Sequence, residues 1–127
     1  MPLVHHLTLS VTDIERSAEW YQGLLGPASL IERHGPTWSR IRMQWPSGLV
    51  IGVTRHERTG DDSFDETRVG LDHIGLGCGN EAEVRSWHAL LESLGYTHGP
   101  VEAAPYGWAV TARDPDNIAV EFFCPKA

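Results

Sequence analysis

Residues 6–26 read HLTLSVTDIERSAEWYQGLLG and residues 71–78 read LDHIGLGC, and the fold turns on these two stretches. Around the first, Leu3 to Val11 alternates apolar and polar side chains, the pattern of a half-buried strand. Thr12-Asp13-Ile14-Glu15 follows, a capping-box pattern that opens a helix. Ile14, Ala18, Tyr21, Leu24 and Leu25 fall on one helical face, and Gly26-Pro27 stops the helix. Three strand-like runs come next: Ala28 to Glu32, Trp38 to Trp45 and Leu49 to Arg55. A Pro46-Ser47-Gly48 turn joins the last two.

The second stretch starts the same series again. A strand over LDHIGLGC leads to a helix from about Glu81 to Leu94 that ends at Gly95. Strands follow at Tyr96 to Val101, Trp108 to Arg113 and Ile118 to Phe123, with a turn at Asp114-Pro115-Asp116-Asn117. His6 and His73 lie 67 residues apart, as do Leu9 and Leu76, and Trp20 and Trp87. After a two-residue slip, Gly52 in VIGVT falls opposite Glu121 in AVEFF. The expectation is an α+β fold of two tandem βαβββ modules in one domain spanning residues 1–127. Module one covers 1–55, a polar acidic linker 56–69, and module two 70–127. Each short sheet needs its neighbour for stability.

Composition narrows the function classes. With 41% hydrophobic and 21% charged residues, the 127-residue chain reads as an ordinary globular protein. Neither a signal-peptide pattern nor a membrane-length apolar run is seen, so a soluble cytoplasmic protein is expected, without a membrane partner. Net charge is −7 and Lys126 is the only lysine, which disfavours nucleic acid as a partner. Arg40 and Arg42 read as a solvated strand face. Cys78 and Cys124 are expected to be buried, reduced and free, on the strand faces opposite His73 and Glu121. An antiparallel pairing that sets His73 near Glu121 would put Cys78 near Asp116, far from Cys124. His5 faces away from His6 by strand alternation and reads as structural. His34, His88 and His98 read as surface or capping residues.

The residues 6–26, the LDHIGL strand and the closing DPDNIAVEFF together resemble the vicinal-oxygen-chelate superfamily of glyoxalases, bleomycin-resistance proteins and dioxygenases. The resemblance covers nearly the whole chain, and the closing motif is its most specific part. It implies curved mixed sheets around a metal or ligand cavity, and His6, His73 and Glu121 at the family's metal-ligand positions. Two imidazoles and one carboxylate leave half of an octahedral shell open, which suits one divalent ion: Fe2+, Mn2+, Zn2+ or Ni2+. Members of this size usually pair, so a homodimer is implied, with a small-molecule substrate or an antibiotic as the other partner.

Departures from the pattern matter as much. Glyoxalase I and methylmalonyl-CoA epimerase carry a fourth ligand where this chain has Gly52. The active-site tyrosine of extradiol dioxygenases would fall at Thr111, with Tyr106 or His56 as substitutes. Thr8 matches a substrate-contacting threonine of fosfomycin-resistance transferases, but beyond Glu121 only Lys126 is cationic. Bleomycin-type binders sequester flat antibiotics between aromatic walls, for which Trp38, Trp45, Tyr106 and Trp108 are candidates; strand packing is the alternative for these rings. Thr8, Trp38, His56, Tyr106, Trp108 and Thr111 are thus the candidate substrate contacts. The leading expectation is a metal-dependent enzyme of dioxygenase or lyase/transferase type whose substrate chelates through vicinal oxygens. The other is an antibiotic- or metabolite-binding resistance protein.

Overall fold

The computed structural model describes residues 1–126. The chain forms two compact units, Met1–Asp62 and a second from Ser63 onward. In the first, β1 (Leu7–Ser10), α1 (Ile14–Leu25), β2 (Ser29–His34), β3 (Trp38–Gln44) and β4 (Val50–His56) follow in order. The second repeats the series with β5 (His73–Gly77), α2 (Glu81–Leu94), β6 (Glu102–Ala104), β7 (Gly107–Arg113) and β8 (Ala119–Pro125). Each unit is one four-stranded mixed sheet, ordered β1-β4-β3-β2 and β5-β8-β7-β6. In both, the first strand runs parallel to the last and the other pairings are antiparallel.

Strand alternation sends one face of each sheet to its helix. In the first unit Leu9, Ile41, Met43, Ile51 and Val53 are buried together with Ile14, Ala18, Tyr21 and Leu24 of α1. In the second, Ile74, Val110, Ala112, Val120 and Phe122 are buried with Val84 and Leu91 of α2. The Trp87 ring stacks on Phe122, centroids 4.3 Å apart. Trp45 is a core residue, its indole N–H donating to the Gly26 carbonyl, and so it builds no ligand cleft.

Several sequence expectations need correction. β1 starts at Leu7, so His5 and His6 precede the strand and alternation does not separate them; their Nδ1 atoms lie 2.9 Å apart. The N-cap of α1 is Asp13, whose carboxylate accepts from the Arg16 N–H, while the Thr12 hydroxyl accepts from the Arg16 guanidinium. No strand runs from Tyr96 to Val101. His98 makes an isolated bridge to Ala112, Pro100 lacks an N–H to continue a ladder, and the edge strand is Glu102–Ala104.

The expected linker is divided. His56 ends β4, and the stretch beyond Asp62 is fastened to the second unit. Phe64 donates its N–H to the Asp116 carbonyl, and both Glu66 oxygens meet the Arg113 guanidinium at 2.9 and 3.1 Å. That hydrogen bonding holds the Glu66 carboxyl below the usual range and raises Arg113.

Because β5 and β8 are parallel, the Cys78 N–H bonds to the Phe123 carbonyl and Cys78 stands beside Cys124, not Asp116. Both thiols are buried and free. Burial, then the nearby Glu83 and Cys124, push the Cys78 thiol up to about 11.

Candidate metal and substrate site

The second unit brings two of the three expected ligands together. Glu121 stands on β8 with Gly75 of β5 as its register partner, and a Cβ on Gly75 would come within 3.9 Å of a Glu121 oxygen. That is ordinary contact distance, so this rung does not crowd the carboxylate. His73 opens β5 on the same sheet face, with its Nε2 3.9 Å from the other Glu121 oxygen. Its Nδ1 lies 2.6 Å from the Asp72 carboxylate. That hydrogen bond directs Nε2 outward, the arrangement by which a carboxylate orients a metal-binding imidazole. Asp72 was not among the sequence candidates, though its place beside His73 in LDHIGL was a signal for it. Two donors about 2.1 Å from one ion in neighbouring positions stand about 3 Å apart. A shift of about 1 Å in the half-exposed His73 ring would therefore suit one ion.

His6 belongs to the first unit, exposed at the entrance to β1, where Val4, His5, Leu7, Gly48 and Val50 share a small cavity with it. With Nδ1 turned to His5, its Nε2 is the nitrogen left to bind outward. Gly52 pairs with Thr8 as Glu121 pairs with Gly75, so the two-residue slip seen in the sequence is realised in the register. A Cβ on Gly52 would meet the Thr8 hydroxyl at 2.8 Å.

The substrate candidates divide among different places. In the first unit Thr8 is exposed and its hydroxyl lies 3.1 Å from that of Thr54, which also accepts from the Arg40 Nε at 2.8 Å. The Arg40 guanidinium lies over the Trp38 ring, 4.6 Å from its centroid. Trp38 and His56 are register partners and help line a cleft of about 520 Å³ with Thr12, Asp13 and Arg55. Arg40 is half-buried and bonded, more than the solvated charge its strand pattern suggests. In the second unit Thr111 pairs with Glu121. Trp108 is on the other face of β7, because three residues separate it from Thr111. The Lys126 ammonium lies 4.9 Å from the Trp108 ring centroid. Tyr106 is exposed before β7, 6.2 Å between ring centroids from Phe123.

Among the described residues no helix is long and apolar enough to cross a membrane. The family model for the Glyoxalase/Bleomycin resistance protein/Dioxygenase superfamily matches residues 3–122. No curated protein matches the chain. Among solved structures, a glyoxylase/bleomycin resistance protein/dioxygenase domain from Frankia sp. EAN1pec is 33% identical, with a TM-score of 0.89 over 99% of this chain and 93% of that one. The fosfomycin resistance protein FosX from Listeria monocytogenes is 20% identical, with a TM-score of 0.76 over 99% and 94% of the two chains. A putative glyoxalase from Bacillus halodurans is 21% identical at a TM-score of 0.71, over 97% and 96%. The chain belongs to the glyoxalase/bleomycin resistance/dioxygenase superfamily, the vicinal-oxygen-chelate proteins.

Proposed function

We propose that the protein is a divalent-metal-dependent enzyme, with His6, His73 and Glu121 as ligands, acting on a small substrate that chelates through vicinal oxygens. The observation that carries this is the Asp72–His73–Glu121 constellation, with Nδ1 of His73 tied back to Asp72 and Nε2 3.9 Å from a Glu121 carboxylate oxygen. A FosX structure carrying Mn(II) and 1S,2S-dihydroxypropylphosphonic acid shows both kinds of ligand on that relative. A bound ion would supply Lewis-acid polarisation of a substrate oxygen. The protein's own groups do the remainder. Asp72 holds the His73 tautomer, and Thr111 stands beside Glu121 to position a substrate hydroxyl. The Glu121 oxygen turned to Gly75 can accept a substrate proton. In the first unit, Arg40 with Thr8 and Thr54 offers an anionic substrate group a cation and hydroxyls. With Gly52 in place of a second carboxylate, two-sided glyoxalase-type proton shuttling has no second base there. This favours the lyase/transferase or dioxygenase class over an isomerase.

Calorimetric titration with Mn(II) tests the reading. His6→Ala, His73→Ala and Glu121→Gln should each weaken binding by more than roughly 100-fold, and Asp72→Asn by roughly 10- to 100-fold. Affinity unchanged by all four would end it. The Trp38–His56 cleft favours one other reading, a metal-free binder of flat antibiotics of the bleomycin-resistance type. In that case Trp38→Ala would weaken antibiotic binding and the metal-ligand variants would leave it intact.

A further inference from the structure

α2 carries a second group of metal-ligand side chains that the proposed centre does not use. His88 and Glu92 are four residues apart on the helix and so share one face. His98 reaches the same place from beyond the C-cap, where Gly95 in the left-handed conformation (φ 68°) turns the chain back. The Tyr96 N–H bonds to the Leu91 carbonyl and the Arg113 N–H to the Thr97 carbonyl, which holds the returning segment. One donor atom from each of His88, Glu92 and His98 lies within 4.8 Å of the other two, a grouping of three found here among the described residues. His98, with a side chain only 10% exposed, is not the surface residue its sequence context suggests.

The directions of the donors are informative. His98 Nδ1 donates to the Gly99 carbonyl at 2.6 Å, which leaves Nε2 as its outward nitrogen. That nitrogen lies 3.0 Å from a Glu92 carboxylate oxygen. A lone pair and a carboxylate oxygen face each other favourably only with a positive centre between them, either a proton or a metal ion. The His88 ring meets His98 edge-on, with centroids 4.8 Å apart and planes at 86°, and so adds a second imidazole at the same point. The His98 side chain is only 10% exposed, whereas Glu92 is 66% exposed. One ligand is thus held rigidly, and another borders solvent, where water can fill a fourth position. Donors about 2.0–2.2 Å from a tetrahedral ion stand about 3.4 Å apart, between the 3.0 Å of the His98–Glu92 pair and the 4.8 Å that bounds the group.

We propose that His88, Glu92 and His98 form a second divalent-metal site, suited to Zn(II), that clips α2 to the segment returning from its C-cap. Two imidazoles and a carboxylate are a zinc-type donor set, and all three sit in one unit. In the first unit the positions 67 residues before His88 and Glu92 are Tyr21, which is buried, and Leu25. The two helical donors therefore have no counterpart in α1.

Zinc titration in two backgrounds separates this site from the His6–His73–Glu121 centre. In the His73→Ala/Glu121→Gln protein, about one equivalent of Zn(II) should still bind. Adding His88→Ala or Glu92→Gln should weaken that binding by more than the roughly 100-fold that loss of a supporting group alone can cost. Zn(II) should also raise the thermal midpoint of the His73→Ala/Glu121→Gln protein, and not once His88→Ala is added. Co(II) in place of Zn(II) should give the absorption of a four-coordinate ion. Both His88 and Glu92 are on the accessible side of the helix, so their variants test the site even if His98→Ala misfolds. No zinc uptake in the His73→Ala/Glu121→Gln protein, or uptake unchanged by His88→Ala and Glu92→Gln, would overturn the proposal and leave a proton-bridged Glu92–His98 pair. Failure of the first centre would appear instead as unchanged Mn(II) affinity in its own variants.

Discussion

In the first unit Thr8 stands across from Gly52; in the second, Gly75 stands across from Glu121. Both pairs occupy the same rung of the same parallel ladder, each with a side chain on one strand and a hydrogen on the other. Where Thr8 fills the rung, its hydroxyl joins Thr54, and Arg40 reaches Thr54 from the next strand. Where Glu121 fills it, the neighbours are His73 and Thr111. One sheet therefore presents hydroxyls and the Arg40 cation, and the other presents a carboxylate, an imidazole and a hydroxyl. Duplicated architecture leaves each rung free to specialise. The helices diverge similarly: Tyr21 is packed away in α1, and His88 at the matching place in α2 faces Glu92 and His98.

The largest expected effect comes from a rung where the units differ in bulk. Trp38 pairs with His56 in the first sheet, and Gly107 with Pro125 in the second. A Cβ on Gly107 would lie 2.5 Å from the Cys124 carbonyl oxygen and 2.7 Å from the Phe123 ring. Backbone cannot move aside as a side chain can, so Gly107→Ala should destabilise the protein by about 2–3 kcal/mol, read as a lowered urea midpoint. A midpoint within error of the parent would mean that this rung is not closed to side chains. A smaller effect is expected at Gly52. There the obstructing atom is the Thr8 hydroxyl, which can rotate away by giving up Thr54, so Gly52→Glu should cost about 1–2 kcal/mol. Thr8→Gly removes the obstruction and recreates the Gly75–Glu121 arrangement. A double-mutant cycle should then show favourable coupling of about 1 kcal/mol. Additive effects would break the correspondence between the rungs.

Much of this was legible in the residues. The βαβββ series and the bounds of α2 follow from amphipathic spacing between Asn80, which caps the helix by accepting from the Glu83 N–H, and Gly95. The equivalence of Gly52 and Glu121 could be read from the two-residue slip, because α2 is two residues longer than α1. Strand direction could not be read: alternation is the same for parallel and antiparallel neighbours, and this misplaced Cys78. The opposite facing of Trp108 and Thr111 was implicit in their odd separation. His98 could not be joined to Glu92, since that contact depends on how the chain turns back after Gly95. Asp72 is adjacent to His73, but only the ring orientation shows that it serves as the imidazole's partner.

The smallest effect concerns a fastening that the second unit has on β7. Arg113, the last residue of β7, holds Glu66 through two hydrogen bonds, whereas the matching place on β3 is Gln44, an uncharged side chain. The pairing keeps the Glu66 carboxyl below its usual range, so the folded state binds this proton less readily than the unfolded chain. Stability from the pair is then fully present above the unfolded carboxyl value and is lost as pH falls through the lower folded value. Because both partners are partly exposed, salt and solvent screen the interaction and its contribution is small. Glu66→Gln should therefore lower the urea midpoint slightly at neutral pH. The gap to the parent protein should narrow as the pH falls through the carboxylate range, and added salt should narrow it at neutral pH as well. A gap that stayed constant with pH would assign the effect to the hydrogen bonds that glutamine fails to reproduce, and not to the charge on Glu66.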